Sequence, residues 1–296
     1  MTTTIGGRDL RLTNVDRVLW PEAGFTKGAM IDFYAAVADV LVPHLARRPL
    51  TLGRWPSGVG HRGFAQNECR GAPEWMETAP LVLASGEVRN YCVVNDAASL
   101  VWVANLVAIE LHPYLAPVNA PDRPIAVAFD LDPYPPRGLL DACALALRLR
   151  ELLADRGLEA FPKTSGGTGM HIFVPLDGET GYDESRGFAR TLAARLESET
   201  PDLVSTSTRP GDRRGRLFVD WMQNSPRRST VAPYSLRATD VPGVSTPVRW
   251  DEIEDALQDR TPTALVFGPD DVRERVRRDG DLWRPMLELR QELPQG

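Results

Sequence analysis

Two acids spaced two apart interrupt an otherwise apolar run, Val127-Ala-Phe-Asp-Leu-Asp-Pro133. Successive side chains on a β-strand point to opposite faces, so Asp130 and Asp132 project from one face while Phe129 and Leu131 anchor the other. Pro133 and the Tyr134-Pro-Pro136 run end the strand and leave both acids at its exposed end. Carboxylates this close repel each other unless a proton or a cation sits between them. A divalent cation is the economical explanation, because Mg²⁺ takes one or two carboxylates plus waters and substrate phosphates. A solvated strand edge accounts equally well for an isolated Asp-x-Asp, so other stretches must decide.

The second informative stretch is Lys163-Thr-Ser-Gly-Gly-Thr-Gly-Met-His171. A turn rich in glycine, here including Gly166, can bring backbone N–H groups close to a phosphate, and Ser165 and Thr168 add hydroxyl donors. His171 opens the next strand, alternates with Phe173, and can therefore face the same side as the loop. No Gly-Lys-Ser/Thr opens a helix, so this is not a Walker A motif, and a plain tight turn is the competing reading. The third stretch, Arg216-Leu-Phe-Val-Asp-Trp221, is again an apolar strand carrying one acid. An acid inside such a strand is costly unless paired with an Arg or bound to metal. Asp130, Asp132 and Asp220 together supply the carboxylates usual in a two-metal phosphoryl-transfer site.

A net charge of −6 argues mildly against a polyanionic partner, but the charge is unevenly spread. Residues 201–240 hold seven Arg against four acids, whereas residues 249–296 hold twelve acids against eight Arg. Local basic surface matters more than net charge for phosphate binding, and Arg suits bidentate phosphate contact. Cys69, Cys92 and Cys143 show neither paired nor metal-type spacing, which predicts reduced cysteines and an intracellular protein. The N-terminus lacks the apolar core of a signal peptide, and the run 100–109 is too short to span a bilayer. A cytoplasmic protein with no membrane partner is expected.

Thr26 suits the N-cap of an amphipathic helix burying Met30, Phe33, Tyr34, Val37, Val40 and Leu41 and closed by Pro43. Strands are expected over 50–55, 125–132, 170–176, 203–206, 216–221 and 230–234. Helices are expected from Asp96 or Ser99 through Glu110, over 139–156 up to Gly157, over 183–199, and near 250 and 269–278. His44 and His61 read as surface residues, and Trp20, Trp55, Trp75 and Trp102 as packing. Mixed strands with packed helices indicate an α/β or α+β core.

Seven short motifs then occur in a specific order. They are Leu12-Thr-Asn-Val-Asp-Arg-Val-Leu-Trp-Pro21, Arg48-Pro-Leu-Thr51, Ile109-Glu-Leu-His-Pro113, Phe129-Asp-Leu-Asp-Pro133, Thr164-Ser-Gly-Gly-Thr-Gly-Met-His171, Phe218-Val-Asp-Trp221 and Val231-Ala-Pro-Tyr-Ser-Leu-Arg237. Over nearly its whole length the chain resembles the archaeo-eukaryotic primase superfamily, specifically the polymerase domain of bacterial ATP-dependent DNA ligase D and its stand-alone relatives. The resemblance implies an α+β primase-type core of mixed and antiparallel sheets flanked by helices. It implies one catalytic domain over 1–296, with DNA-contacting elements in 1–120, the catalytic motifs in 121–245 and a helical region in 246–296.

By the same resemblance, Asp130, Asp132 and Asp220 hold Mn²⁺ or Mg²⁺ and an NTP or dNTP is the substrate. Ser165, Gly166, Thr168, His171, Arg237, His112 and Arg54 fall at nucleotide-binding positions. Arg17 and Lys27 match basic positions for a downstream 5′-phosphate, and Phe64 matches a template-stacking aromatic. The implied activity is templated filling of short DNA gaps in end joining or excision repair, with primase activity and a ribonucleotide preference. The expected partners are DNA with gaps, overhangs or a 5′-phosphate, NTPs, and a separate ATP-dependent ligase and Ku-like protein acting at the bacterial nucleoid. The competing classes are a non-catalytic gapped-end binding module that recruits a ligase and a template-independent terminal transferase. Relatives often have a lysine at Thr168, a basic residue at Gly53 and a second aromatic at Ala65, so Arg54, Arg227 or Arg228 would have to supply the missing grip. No ligase or nuclease module accompanies these motifs, which suggests a stand-alone polymerase.

Overall fold

A computed structural model describes residues 1–83 and 85–294. The fold is α+β, with largely antiparallel sheets flanked by helices. Two compact units share the chain. The first comprises Met1–Asn119, Ser229–Ser245 and Gly268–Asp281; the second comprises Ala120–Arg228, Thr246–Phe267 and the described residues from Leu282 onward.

The second unit is built on a five-stranded sheet with the acidic strand, Ala126–Pro133, at its centre. Met170–Pro175 and Leu217–Asp220 flank it antiparallel, while Phe161–Thr164 and Val204–Ser205 form the outer strands. The period-two alternation read from the sequence holds: Phe129 and Leu131 are fully buried, and Asp130 and Asp132 are half-buried on the opposite face. Helices Leu139–Ala154 and Tyr182–Glu199 pack on this strand. Burial of each large apolar side chain contributes about 1.5–3 kcal/mol. Gly157, at φ +72°, stops the first of these helices in the left-handed conformation that glycine adopts without strain.

The first unit carries another five-stranded sheet. Pro49–Arg54 pairs with Phe64–Gln66, Val88–Val93 and Ala108–Pro113, and Thr78–Val82 pairs with Val88–Val93. Thr26 caps its helix as expected, its Oγ1 accepting from the Ala29 N–H at 3.1 Å. All six residues predicted for the buried face are buried. They do not lie on one helix, however. Helices Lys27–Ala36 and Ala38–Leu45 meet at 80°, broken at Val37, and Pro43 lies inside the second instead of closing it.

Several other expectations need correction. Asp96 and Ser99 form a capping box, but their helix ends at Asn105, not Glu110. Val107, at φ +61°, turns the chain, and Ile109 and Leu111 then alternate with Glu110 and His112 on a strand. No strand forms over 230–234, where Pro233 lacks an N–H and Tyr234 sits at φ +63°; the pairing begins at Leu236–Arg237. Cys69 and Cys92 are disulfide-bonded, not reduced. Their 23-residue separation hides a contact that arises when the Cys69 N–H bonds the Asn90 carbonyl. Cys143 stays a thiol, pushed up to about 12 by burial. His44 is buried, not at the surface, with Nε2 2.9 Å from Asp281 Oδ2. Trp20 packs in the core as expected, donating its Nε1–H to the Thr239 carbonyl. Among the described residues no single helix is long and apolar enough to cross a membrane.

Candidate active site

Strand register assembles the acids of the second unit. Asp130 lies directly opposite Asp220 on one neighbour and directly opposite His171 on the other. His171 is in turn opposite Lys163. Directly paired residues in an antiparallel sheet project from the same face. Lys163, His171, Asp130 and Asp220 therefore form one row across four strands, and Asp132 sits two residues along on the same face.

The row is hydrogen-bonded along part of its length. Lys163 Nζ is hydrogen-bonded to His171 Nδ1 at 2.8 Å, while His171 Nε2 lies 3.1 Å from Asp130 Oδ1 without hydrogen-bonding to it. Asp220 accepts from the Met222 N–H at 2.9 Å and from Gln223 Nε2 at 3.2 Å, capping the short turn Trp221–Gln223. Burial pushes the Asp220 carboxyl above the ordinary range, and the Asp130 charge adds to that shift. Buried carboxylates in register with mutual repulsion are the donor chemistry that a hard divalent cation satisfies. The backbone thus brings the three acids together. Their rotamers do not yet converge, and among the described residues no trio of acid, His or Cys side chains is arranged to grip one ion.

The glycine-rich loop runs from 165 to 169 between two strands of the same sheet. Ser165 Oγ accepts from the Gly167 and Gly169 amides at 3.2 and 3.1 Å, so it braces the loop internally. Two of the loop's backbone amides are thereby engaged. Gly166 takes φ +77°, and Thr168 is exposed near the apex. A Cβ at Gly169 would lie 2.7 Å from the Leu131 carbonyl and 3.3 Å from Asp132 Oδ1. Only glycine lets the loop approach the acidic strand so closely.

Two features of this unit escaped the sequence reading. Lys163 is fully buried; its signal is that lysine occurs only twice in the chain. Asn224, also fully buried, exchanges two hydrogen bonds with the Ala128 backbone, at 2.8 and 2.7 Å. It extends the ladder beyond Asp220 with a side-chain amide, and nothing in its sequence context marks it. Arg213 lies over the Phe218 ring, 3.4 Å from its centroid, and donates to the Ser207 carbonyl and the Tyr134 hydroxyl.

The remaining expected site residues belong to the first unit and form two groups. In one, Glu110 gathers His112 Nε2 at 2.9 Å, Arg237 Nε at 3.1 Å and the Ala238 N–H at 3.0 Å. Burial opposes ionisation of Glu110, but the His112 hydrogen bond, the Arg237 charge and the Ala238 amide outweigh it and hold the carboxyl at about 2. Glu110 was not among the expected site residues, although it stands in a quoted motif. In the other group, Arg54 stacks on the half-exposed Phe64 ring and donates to Gln66 Oε1 and the Leu106 carbonyl.

Lys27 is 2% exposed and donates to the Thr13 carbonyl and hydroxyl. Burial first, then the Arg17 and Arg54 charges, lower its pKa to about 8. Arg17 donates to the Pro56 carbonyl. The absence of a basic residue at position 53 also has a physical cause. A Cβ there would lie 2.9 Å from the Glu110 Cβ and 3.0 Å from the Trp55 ring.

Comparison with known proteins fits this geometry. The family described as LigD, primase-polymerase domain, matches residues 26–283. The multifunctional non-homologous end joining protein LigD of Mycolicibacterium smegmatis is 37% identical over 280 residues, covering 94% of this chain and 36% of that protein. The corresponding DNA repair protein of Mycobacterium tuberculosis is 38% identical over 281 residues, covering 92% and 36%. This chain thus spans about a third of the length of these relatives. The polymerase domain of Mycobacterium tuberculosis ligase D, solved in complex with DNA, superposes with a TM-score of 0.87 at 35% identity, covering 96% of this chain and 99% of that one.

Proposed function

This chain belongs to the LigD primase-polymerase domain family, and from that premise we propose that it is a template-directed nucleotidyltransferase. It adds ribonucleotides or deoxyribonucleotides to a primer 3′ end and fills short gaps during DNA end joining. The observation that carries this reading is the register of Asp130 opposite Asp220 with Asp132 two residues along.

The three acids fit Mn²⁺ or Mg²⁺ as a hard-oxygen donor set. When bound, such ions neutralise triphosphate charge and lower the pKa of the primer 3′-hydroxyl. The chain's own residues do the rest. His171 donates to a phosphate oxygen, and Ser165 holds the loop in the shape that leaves Gly166 and Thr168 facing the triphosphate. In the first unit, Arg237 supplies positive charge for the phosphates and His112 meets the sugar, both oriented by Glu110. Arg54 and Phe64 act on the template strand, and Arg17 with Lys27 takes the downstream 5′-phosphate. DNA carrying a gap, overhang or 5′-phosphate is the partner, with a ligase and a Ku-like protein as companions in joining.

The test is extension of a labelled primer across a short gap bearing a 5′-phosphate, with Mn²⁺ or Mg²⁺ and either rNTPs or dNTPs. Templated extension that disappears in both Asp130→Ala and Asp220→Ala is the expected result. Gap binding without extension under either metal would identify a binding module instead. Extension indifferent to template sequence would identify a terminal transferase.

A further inference from the structure

Lysine at 163 is chemically unusual. It is completely buried in the second unit, where an ammonium group loses its hydration. The aromatic rings of Phe173 and Trp283 have centroids 6.0 and 5.9 Å from Nζ. Those rings pack edge to face, and the Trp283 indole is fixed by donating to the Pro162 carbonyl at 2.9 Å. Nζ is aimed at His171 Nδ1, 2.8 Å away. This is the side of the imidazole remote from the carboxylate row.

The two ring nitrogens of His171 face partners of opposite kind. A lysine ammonium has three donors and no acceptor, so a hydrogen bond to it requires a lone pair on Nδ1. Asp130 Oδ1 lies 3.1 Å from Nε2 but makes no hydrogen bond with it, so this approach does not itself select a tautomer. The Lys163 bond alone selects the tautomer with its proton on Nε2. With Nδ1 accepting from Lys163, the N–H at Nε2 points along the face that carries the acids.

We propose that Lys163 is a positioning residue for nucleotidyl transfer, fixing His171 as an Nε2–H donor toward a triphosphate oxygen. The inference rests on the polymerase reading for its purpose, but its structural half stands apart from activity. Lys163 is completely buried. It acts through His171, as an outer partner orients a functional histidine through the other ring nitrogen. The positive charge behind the ring also strengthens the Nε2–H as a donor to an anionic oxygen.

The first measurement is the ¹⁵N spectrum of the imidazoles in the wild-type protein without nucleotide, with His171 assigned by its loss in His171→Gln. An Nε2–H tautomer is expected. An Nδ1–H tautomer, or a ring protonated at both nitrogens, overturns the proposal whether or not the protein polymerises. The second uses Lys163→Met, which keeps the chain length and removes the donor, beside Lys163→Arg, which keeps a donor. Lys163→Met should raise the nucleotide KM about 10-fold with gapped-DNA affinity unchanged, and Lys163→Arg should recover part of the loss. A Lys163→Met protein with an unaltered KM and the same His171 tautomer also overturns it. If Lys163→Met does not fold, the wild-type spectrum and Lys163→Arg decide. If the tautomer is as expected but wild type extends no primer, the positioning holds and the polymerase reading fails.

Discussion

Asp130 and Asp220 face each other across neighbouring antiparallel strands, in register, with no residue between them. Like charges directly opposite on a sheet are destabilising by up to roughly 1 kcal/mol. The fold tolerates this repulsion at a place where a cation would relieve it. Asp220→Asn should therefore raise the thermal midpoint of the metal-free protein by about 2 °C, as judged by differential scanning calorimetry. The same substitution should cost at least roughly 10³-fold in primer extension, because a metal ligand supplies several kcal/mol of transition-state stabilisation. A midpoint that falls would mean that Asp220 serves mainly to cap the Trp221–Gln223 turn.

With Lys27 at the proposed 5′-phosphate site, recognition of that phosphate is expected to be pH-dependent. Its pKa is lowered to about 8 by burial and by Arg17 and Arg54. It is charged below that value and neutral above it. Preference for a gap bearing a 5′-phosphate over a 5′-hydroxyl should thus be full below about pH 8 and decline as pH rises, by at most about tenfold per unit. Fluorescence anisotropy with the two gapped duplexes, compared across that range, measures it. Lys27→Met should lose the preference and its pH dependence together. A preference unchanged on passing through pH 8 would remove Lys27 from the phosphate site.

Glu110 contributes to both site order and stability. Its carboxyl is held at about 2 in the folded protein, against an ordinary 4.5. A depressed acid stabilises the fold above its unfolded pKa, and that contribution is lost as pH falls from 4.5 towards 2. Wild type should exceed Glu110→Gln by about 3 kcal/mol in urea unfolding at neutral pH, with the gap closing as pH falls through that window. A gap constant down to low pH would indicate that packing, not charge, is what the substitution removes.

The acidic part of the row was largely legible in the sequence because it rests on strand periodicity. Alternation put Asp130 and Asp132 on one face, and Asp220 was marked by the same pattern. What the sequence hid is pairing between strands. Lys163 and Asp220 are 57 residues apart, and only the register of four strands puts them in one row. The Cys69–Cys92 bond and the burial of His44 against Asp281 were hidden because each joins residues distant in the chain. The predicted helix through Glu110 failed differently. Its run is apolar apart from Asn105, and a helix and a buried strand look alike in such a run until a left-handed residue such as Val107 intervenes. Ser165 was expected to contact phosphate, but its bracing of the loop depends on backbone geometry that the motif alone does not specify.

Gly169 tests whether loop and acidic strand must touch. A methyl group at this position would sit 2.7 Å from the Leu131 carbonyl, a backbone atom in the centre of the sheet that cannot swing aside. It would also press on Asp132 Oδ1 at 3.3 Å. Overpacking of this kind typically costs 1–3 kcal/mol, so Gly169→Ala should lose about that much stability in denaturant unfolding. Because the strain falls on Leu131 and Asp132, extension should drop even at saturating nucleotide, seen as a lower kcat with little change in DNA affinity. Gly167→Ala is the control. Its nearest neighbour is Ser165 Oγ, 3.6 Å from the added carbon, which is ordinary contact. That variant should keep both stability and kcat. Equal behaviour of the two alanine variants would show that the loop can withdraw from the acidic strand without consequence, and that the close approach at Gly169 does not position Asp132.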